Sequence, residues 1–175
     1  MLNRTKCQVG LVGYGAIGKS VADALLDGRA GNAALAAVLV RDVNKYWGCL
    51  PFSSSPPRIT FTDDADTFFG CDFDLLVEAA GHAAVRQYTR RGLEKGTDVL
   101  VVSVGVFADD GFYRELWDLA EEKGRRILLA SGAAGSLRVE WEGVPSESNP
   151  STSADVPLSV IKAIRNLASP VCFGM

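Results

Sequence analysis

Residues 7–20 read CQVGLVGYGAIGKS. An apolar run, a predicted strand over about Cys7 to Val12, stops at three spaced glycines, Gly13, Gly15 and Gly18. The chain then passes into AIGKSVADALLDG, where Ile17, Val21, Ala24 and Leu25 recur at helical spacing and Gly28 supplies a stop. A strand that turns on glycine straight into a helix is the opening half of a βαβ unit, so this stretch decides the fold class.

The rest of the chain repeats the theme. LAAVLVRD (35–42) is a second apolar strand ending at Arg41 and Asp42, and RITFTDD (58–64) a short third one after the SSSPP loop. FDLLVEAAG (73–81) and TDVLVVSVG (97–105) are apolar without alternation, as strands covered on both faces require. Helices are predicted over HAAVRQYTRRGLEKG (82–96) and DDGFYRELWDLAEEKG (109–124), the latter with an Asp start, a Phe112, Leu116 and Leu119 stripe and a stop at Gly124. RRILLASGAAG (125–135) is a sixth strand. Parallel strands need helical crossovers, so the expectation is an α/β fold, a doubly wound parallel Rossmann sheet. A C-terminal amphipathic helix follows, with Leu158, Ile161, Ile164 and Leu167 as its stripe, Asp155 as N-cap and Pro157 in the first turn.

Each glycine of GYGAIG has its own physical reason. Gly13 permits the tight turn, Gly15 lets a pyrophosphate approach the main chain with no Cβ between, and Gly18 lets the helix pack closely on the strand. The amides of Ala16 and Ile17, free at the helix start, can donate to phosphate oxygen. Asp42, 24 residues after Gly18, has the position of a group that accepts from a ribose 2′-hydroxyl, while Arg41 beside it suits a 2′-phosphate. The cofactor expected is therefore NAD or NADP. The nicotinamide end belongs across the small-residue stretches at Glu78–Ala84, Val102–Asp109 and Ser131–Ser136. His82, the sole histidine, opens the helix at that edge; it could serve as an acid or base, and equally could cap or cover the cofactor.

Composition excludes other classes. The 175 residues carry a net charge of −3, with 47% hydrophobic and 22% charged residues and no sustained basic face, which argues against nucleic acid. No run approaches a membrane span, and the N-terminus lacks the apolar run of a signal peptide. Cys7, Cys49, Cys71 and Cys172 are scattered without metal-ligand spacing, so reduced thiols in a cytoplasmic protein, and no metal, are expected.

Taken together, VGLVGYGAIGKS, DLLVEAAGHAAVRQY, DVLVVSVGVFAD, LLASGAAGSL and GVPSESNPSTSADVPLSVIKAIRNLASPVCFG resemble the L-aspartate dehydrogenase family, whose N-terminal half is similar to the cofactor domain of homoserine dehydrogenase. The resemblance implies oxidation of L-aspartate to iminoaspartate with NAD or NADP, or the reverse amination of oxaloacetate with ammonia, in NAD biosynthesis. It implies that Gly13, Ala16, Ile17 and Gly18, in the turn that also holds Tyr14 and Gly15, cradle the pyrophosphate. Arg41 and Asp42 then read the ribose, Ala80, Gly81, His82 and Ser103 line the nicotinamide side, and Ala133 in the SGA turn touches the cofactor.

The family also has a catalytic domain, on the order of a hundred residues, between the SGA turn and the NP-T-S segment. Here only 11 residues, Arg138 to Ser148, separate Leu137 from Asn149. The expected organisation is thus a cofactor domain at 1–137, a linker at 138–148 and a C-terminal helical segment at 149–175. The family's catalytic histidine falls in the part without a counterpart, so no catalytic residue is assigned. Weak or absent turnover is expected, and a homo-oligomer remains open. Two alternatives are a non-catalytic dinucleotide-binding module and an enzyme like homoserine dehydrogenase or dihydrodipicolinate reductase, against which the C-terminal block argues.

Overall fold

In the computed structural model, the described residues are 6–46 and 59–130, the backbone of 145–146 and 149–153, and positions 157, 160, 161 and 164. The elements in chain order are β1 (Cys7–Val12), α1 (Ala16–Leu26), β2 (Ala33–Leu39), β3 (Thr60–Thr62), α2 (Ala65–Gly70), β4 (Leu75–Glu78), α3 (His82–Lys95), β5 (Asp98–Val101), α4 (Asp110–Lys123) and β6 (Ile127–Leu129). Pro145–Ser146 (β7) and Asn149–Ser153 (β8) follow as a separate antiparallel pair. The main sheet has the order β3-β2-β1-β4-β5-β6, every pair parallel. This is the doubly wound sheet expected.

The apolar strands are explained by two cores, one on each face. Leu75, Val77 and Leu100 join Val9 and Leu11 beneath α1, whose Val21 and Leu25 complete that cluster. Leu76, Val99 and Val101 point the other way, to Phe68 of α2, Val85 and Leu93 of α3, and Leu116 of α4. Period-two geometry sends successive side chains to opposite faces, so a strand buried on both has no polar position to show. In β2, Ala33 and Leu35 face the α1 side, but so do Val38 and, just past the strand, Val40. The parity changes because the register with β1 slips by one residue, Val9 pairing Leu35 and Gly10 pairing Ala37. That irregularity adds one residue to β2 and turns its remaining side chains over.

The sheet order explains what covers each face. Right-handed crossovers to one side of β1 place α1 on one face, and those to the other side place α3 and α4 on the opposite one. The α1 face therefore needs another cover beyond β1. Val160 and Ile164, both fully buried, join the α1-side cluster there. The backbone at 157, 160, 161 and 164 is helical.

Several details differ from the sequence expectations or add to them. The short helix α2 was not foreseen; Asp64 caps it by accepting from the Thr67 amide at 2.8 Å, and Phe68 is buried beneath it. β2 ends at Leu39, leaving Arg41 and Asp42 just past the strand, and β5 ends at Val101 before a 3₁₀ turn at Val104–Ala108. Asn149–Ser153, in the C-terminal segment ahead of the expected N-cap Asp155, is extended; Pro150 fits there, and β-branched Thr152 suits a strand. The observed inward positions 160 and 164 are one helical turn apart, and Val160 lay outside the anticipated stripe. Asp155, Leu158, Leu167, Cys49, Cys172 and the stretch 138–144 lie outside the described residues. No helix among the described residues is long and apolar enough to cross a membrane.

Candidate dinucleotide site

Strand order reverses between β1 and β4, and the turns that leave these two strands meet at their C-terminal ends. Gly13 has φ +98, a conformation open to glycine at little cost. A Cβ there would stand 2.8 Å from the Ala79 carbonyl oxygen and 2.8 Å from the Ala80 Cβ. The turn after β1 thus rests directly on the turn after β4. Gly18 is more constrained, since a Cβ on it would lie 2.1 Å from the Gly13 carbonyl oxygen. Helix α1 can start this close to β1 only with glycine at that position.

Gly15 behaves differently. A Cβ there meets nothing within 4 Å. Its φ of −80 and ψ of −162 are ordinary extended values. Packing within the protein does not explain this glycine, but a ligand pressed against the main chain would. Gly15 is the N-cap of α1 and supplies no side-chain cap, which leaves the first-turn amides at Ala16 and Ile17 uncapped at the positive end of the helix. A turn with open space above Gly15 and uncapped amides beside it fits a dinucleotide pyrophosphate.

Tyr14 lies inside the same turn, but its ring is buried. It meets Tyr46 at 5.4 Å and Phe61 at 5.4 Å, both edge-to-face, and burial pushes its hydroxyl pKa up, with Asp23 and Tyr46 adding to the effect. Its contribution at the turn is main chain, while its side chain anchors the 3₁₀ turn Val43–Tyr46 and β3. That aromatic contact supports the segment carrying Arg41 and Asp42. Both are exposed, and the Asp42 Oδ1 accepts from the Asn44 amide at 2.9 Å and its Nδ2 at 3.2 Å. The carboxylate is held in a local turn at the edge where an adenosine ribose would lie.

The other end of the site is built by the turns after β4 and β5. Gly81 has φ +126 and ψ 171, and His82 is the first residue of α3, exposed at the edge. A Cβ on Gly105 would stand 3.0 Å from the His82 Nε2, so the imidazole lies against the 3₁₀ turn after β5. Ser103 precedes that turn. Between them is Glu78, the last residue of β4 and 2% exposed. Its Oε1 accepts from the amides of Ala80 and Gly81, each at 2.7 Å, and from the Ser103 hydroxyl at 3.1 Å. Its Oε2 accepts from the Ser103 amide at 3.1 Å.

The structure brings Gly13, Tyr14, Gly15, Ala16, Ile17, Gly18, Ala80, Gly81, His82 and Ser103 to one edge of the sheet, with Arg41 and Asp42 at the end of β2 on the same edge. Ala133 lies outside the described residues. Sequence reasoning placed Glu78 at the start of the nicotinamide-side stretch Glu78–Ala84 but gave its side chain no role; the available signal was one acidic residue closing an otherwise apolar strand. No cluster of metal-ligating side chains occurs among the described residues.

Residues 13–130 match the family model of the homoserine dehydrogenase NAD-binding domain. An L-aspartate dehydrogenase of Methanocaldococcus jannaschii is 38% identical over 130 residues, covering 74% of this chain and 47% of that relative. An L-aspartate dehydrogenase of Methanococcus maripaludis strain C6 is 33% identical over 165 residues, 93% of this chain and 57% of the relative. The chain thus spans about half the length of the curated relatives it matches. Among solved structures, apo scyllo-inositol dehydrogenase from Lactobacillus casei superposes with a TM-score of 0.61 at 16% identity, over 73% of this chain and 37% of that one, a likeness of fold alone. With the glycine turn, the reversed strand order and this match in agreement, the chain belongs to the homoserine dehydrogenase NAD-binding domain family, a Rossmann domain for NAD or NADP.

Proposed function

We propose that this chain is the cofactor-binding half of an L-aspartate dehydrogenase-type oxidoreductase, acting in the cytoplasm on L-aspartate or, in reverse, on oxaloacetate and ammonia. The observation that carries the reading is the contrast at the glycine turn. Gly13 and Gly18 are demanded by the fold, whereas Gly15 borders open space into which a ligand fits. The identity to curated L-aspartate dehydrogenases supports the substrate.

When bound, NAD or NADP supplies the acceptor for the hydride that leaves the substrate α-carbon. The chain's own residues bind and orient. Amides of the α1 first turn donate to phosphate. Asp42 accepts from the ribose or Arg41 pairs with a 2′-phosphate, and Ala80, Gly81, His82 and Ser103 form the wall at the nicotinamide end. By the family resemblance, Ala133 in the SGA turn contacts the cofactor. Recognition of two substrate carboxylates calls for cationic groups in the manner of paired guanidinium and ammonium contacts. Those groups, and the principal acid or base, belong to a substrate domain for which Arg138–Ser148 leaves no room. The single chain therefore holds dinucleotide and turns over aspartate weakly or not at all.

A second reading, a dinucleotide-binding module without catalysis, is favoured by the absence of an obvious acid–base pair among the described site residues. Titration with NADH and NADPH, read by tryptophan quenching, tests binding. Aspartate-dependent formation of NADH or NADPH then separates the two readings. Saturable binding with weak aspartate-dependent turnover supports the first and overturns the second, whereas binding with none fits the second and the inactive form of the first. Failure to bind either dinucleotide overturns both, and full turnover by the single chain overturns the assigned need for a further domain.

A further inference from the structure

Glu78 is a carboxylate side chain in the core with no ion-pair partner among the described residues. The ion pairs of the described residues all lie elsewhere. Burying a carboxylate is costly unless hydrogen bonds replace its water. Here three main-chain amides and one hydroxyl do so, and every one of these donors belongs to the two turns at the nicotinamide end of the proposed site. A general structural role could be met by any apolar residue at the end of a buried strand. Four donors converging from two loops are a different arrangement, since each loop is held to the same rigid point.

The connection extends in both directions. The turn after β4 is pressed on Gly13, so the carboxylate is linked through Ala79 and Ala80 to the phosphate turn. Ser103 leads into the 3₁₀ turn against which His82 rests. The main chain also helps, because the Val102 amide donates to the Glu78 carbonyl at 3.2 Å. Gly81 stays in its φ +126 conformation with its amide on the Glu78 carboxylate.

We propose that Glu78 is a positioning residue: its buried carboxylate ties the turn after β4 to the turn after β5 and so shapes the surface that receives the nicotinamide ring. The proposal rests on the dinucleotide-binding reading above. Glu78→Gln is the informative variant. It keeps the volume but replaces one acceptor oxygen by an NH2 group, which then faces amide or hydroxyl donors. The adenosine and pyrophosphate end, built by α1 and β2, makes none of these hydrogen bonds and meets them only through the packing of Gly13 on Ala79 and Ala80, so it responds less.

The test compares two ligands in the parent and the variant. One is whichever of NADH and NADPH the parent binds more tightly. The other is its counterpart without nicotinamide, ADP-ribose or 2′-phospho-ADP-ribose. Glu78→Gln is expected to weaken the dinucleotide by about tenfold or more while changing the nicotinamide-free ligand by less than about twofold. Equal weakening of both ligands, or of neither, overturns the proposal. If the parent binds neither ligand, the dinucleotide reading itself fails and the proposal with it.

Thermal melting checks that the variant is folded. Should it not fold, Ser103→Ala removes the hydroxyl bond alone. That variant is expected to lower the same affinity ratio and to speed hydrogen exchange at the Ala80 and Gly81 amides. An unchanged ratio, or a lowered ratio with those amides unaffected, overturns the proposal.

Discussion

Alanine at Gly15 and at Gly18 should separate ligand binding from folding, although the two residues are three apart in one motif. At Gly18 the new Cβ would lie 2.1 Å from the Gly13 carbonyl oxygen, a main-chain atom in a turn that already abuts the turn after β4. Overpacking costs about 1–3 kcal/mol, and a backbone neighbour places this site at the upper end. Alanine returns about 1 kcal/mol of helix propensity. The net loss is about 2 kcal/mol, which lowers the melting temperature of a chain of this size by about 4–8 °C. At Gly15 the Cβ enters empty space and the backbone is already in a common conformation. Alanine caps a helix less well than glycine, so stability falls by under about 1 kcal/mol. The methyl group instead occupies the approach to the main chain, and the same overpacking range applied to the complex weakens dinucleotide binding by about 5- to 150-fold. Thermal melts and tryptophan-quenching titrations on both variants provide the assay. Parent-like affinity in Gly15→Ala, or a parent-like melt in Gly18→Ala, would refute the reasoning.

Other perturbations follow from the same geometry. Ile164→Ala should cost about 2–5 kcal/mol in urea unfolding, because the side chain is fully buried in the α1-side core; an unchanged midpoint would detach the C-terminal segment from the cofactor domain. Gly81→Ala has room for its methyl but must hold φ near +126, so a loss of about 1–3 kcal/mol is expected from backbone strain alone, and a melt equal to the parent's would count against that conformation. Acid should destabilise the protein through its capping aspartates. Hydrogen bonds from the Thr67 side chain and amide hold the Asp64 carboxyl below the usual range, and those from Arg86 and the Phe112 amide do the same for Asp109. A pKa lowered on folding contributes stability above the unfolded pKa and loses it as pH falls through the folded one, so melting temperature should drop below about pH 4. Asp64→Asn combined with Asp109→Asn should flatten that part of the profile, and an unaltered slope would assign the acid sensitivity elsewhere.

Local chemistry made much of this protein legible. Cys7–Val12, the glycine turn and α1 follow from residues adjacent in the chain, because strand runs, turn conformations and helix stops are set by neighbouring sterics. The apolar runs in β4 and β5 announced a sheet covered on both faces for the same reason. Short α2 escaped notice because six residues carry too little periodicity to show against the loop, although Asp64 was a fair capping signal. The role of the Glu78 side chain escaped because local sequence does not show which donors from a distant turn meet a carboxylate at the end of a strand.

What the amino-acid order alone determined is the set of βα units and the residues gathered at their glycine turns. Tertiary structure decided which turns meet. Gly13 touches Ala79 and Ala80 only because strand order reverses between β1 and β4. Ser103 reaches Glu78, 25 residues away, only because β5 lies beside β4. The placement of Val160 and Ile164 in the core depends on a sheet face that α3 and α4, on the opposite side, cannot cover. Local residues choose a conformation from their own sterics, but a contact between distant residues exists only after the chain has closed on itself, when burial and hydrogen bonding can offset the entropy of that closure.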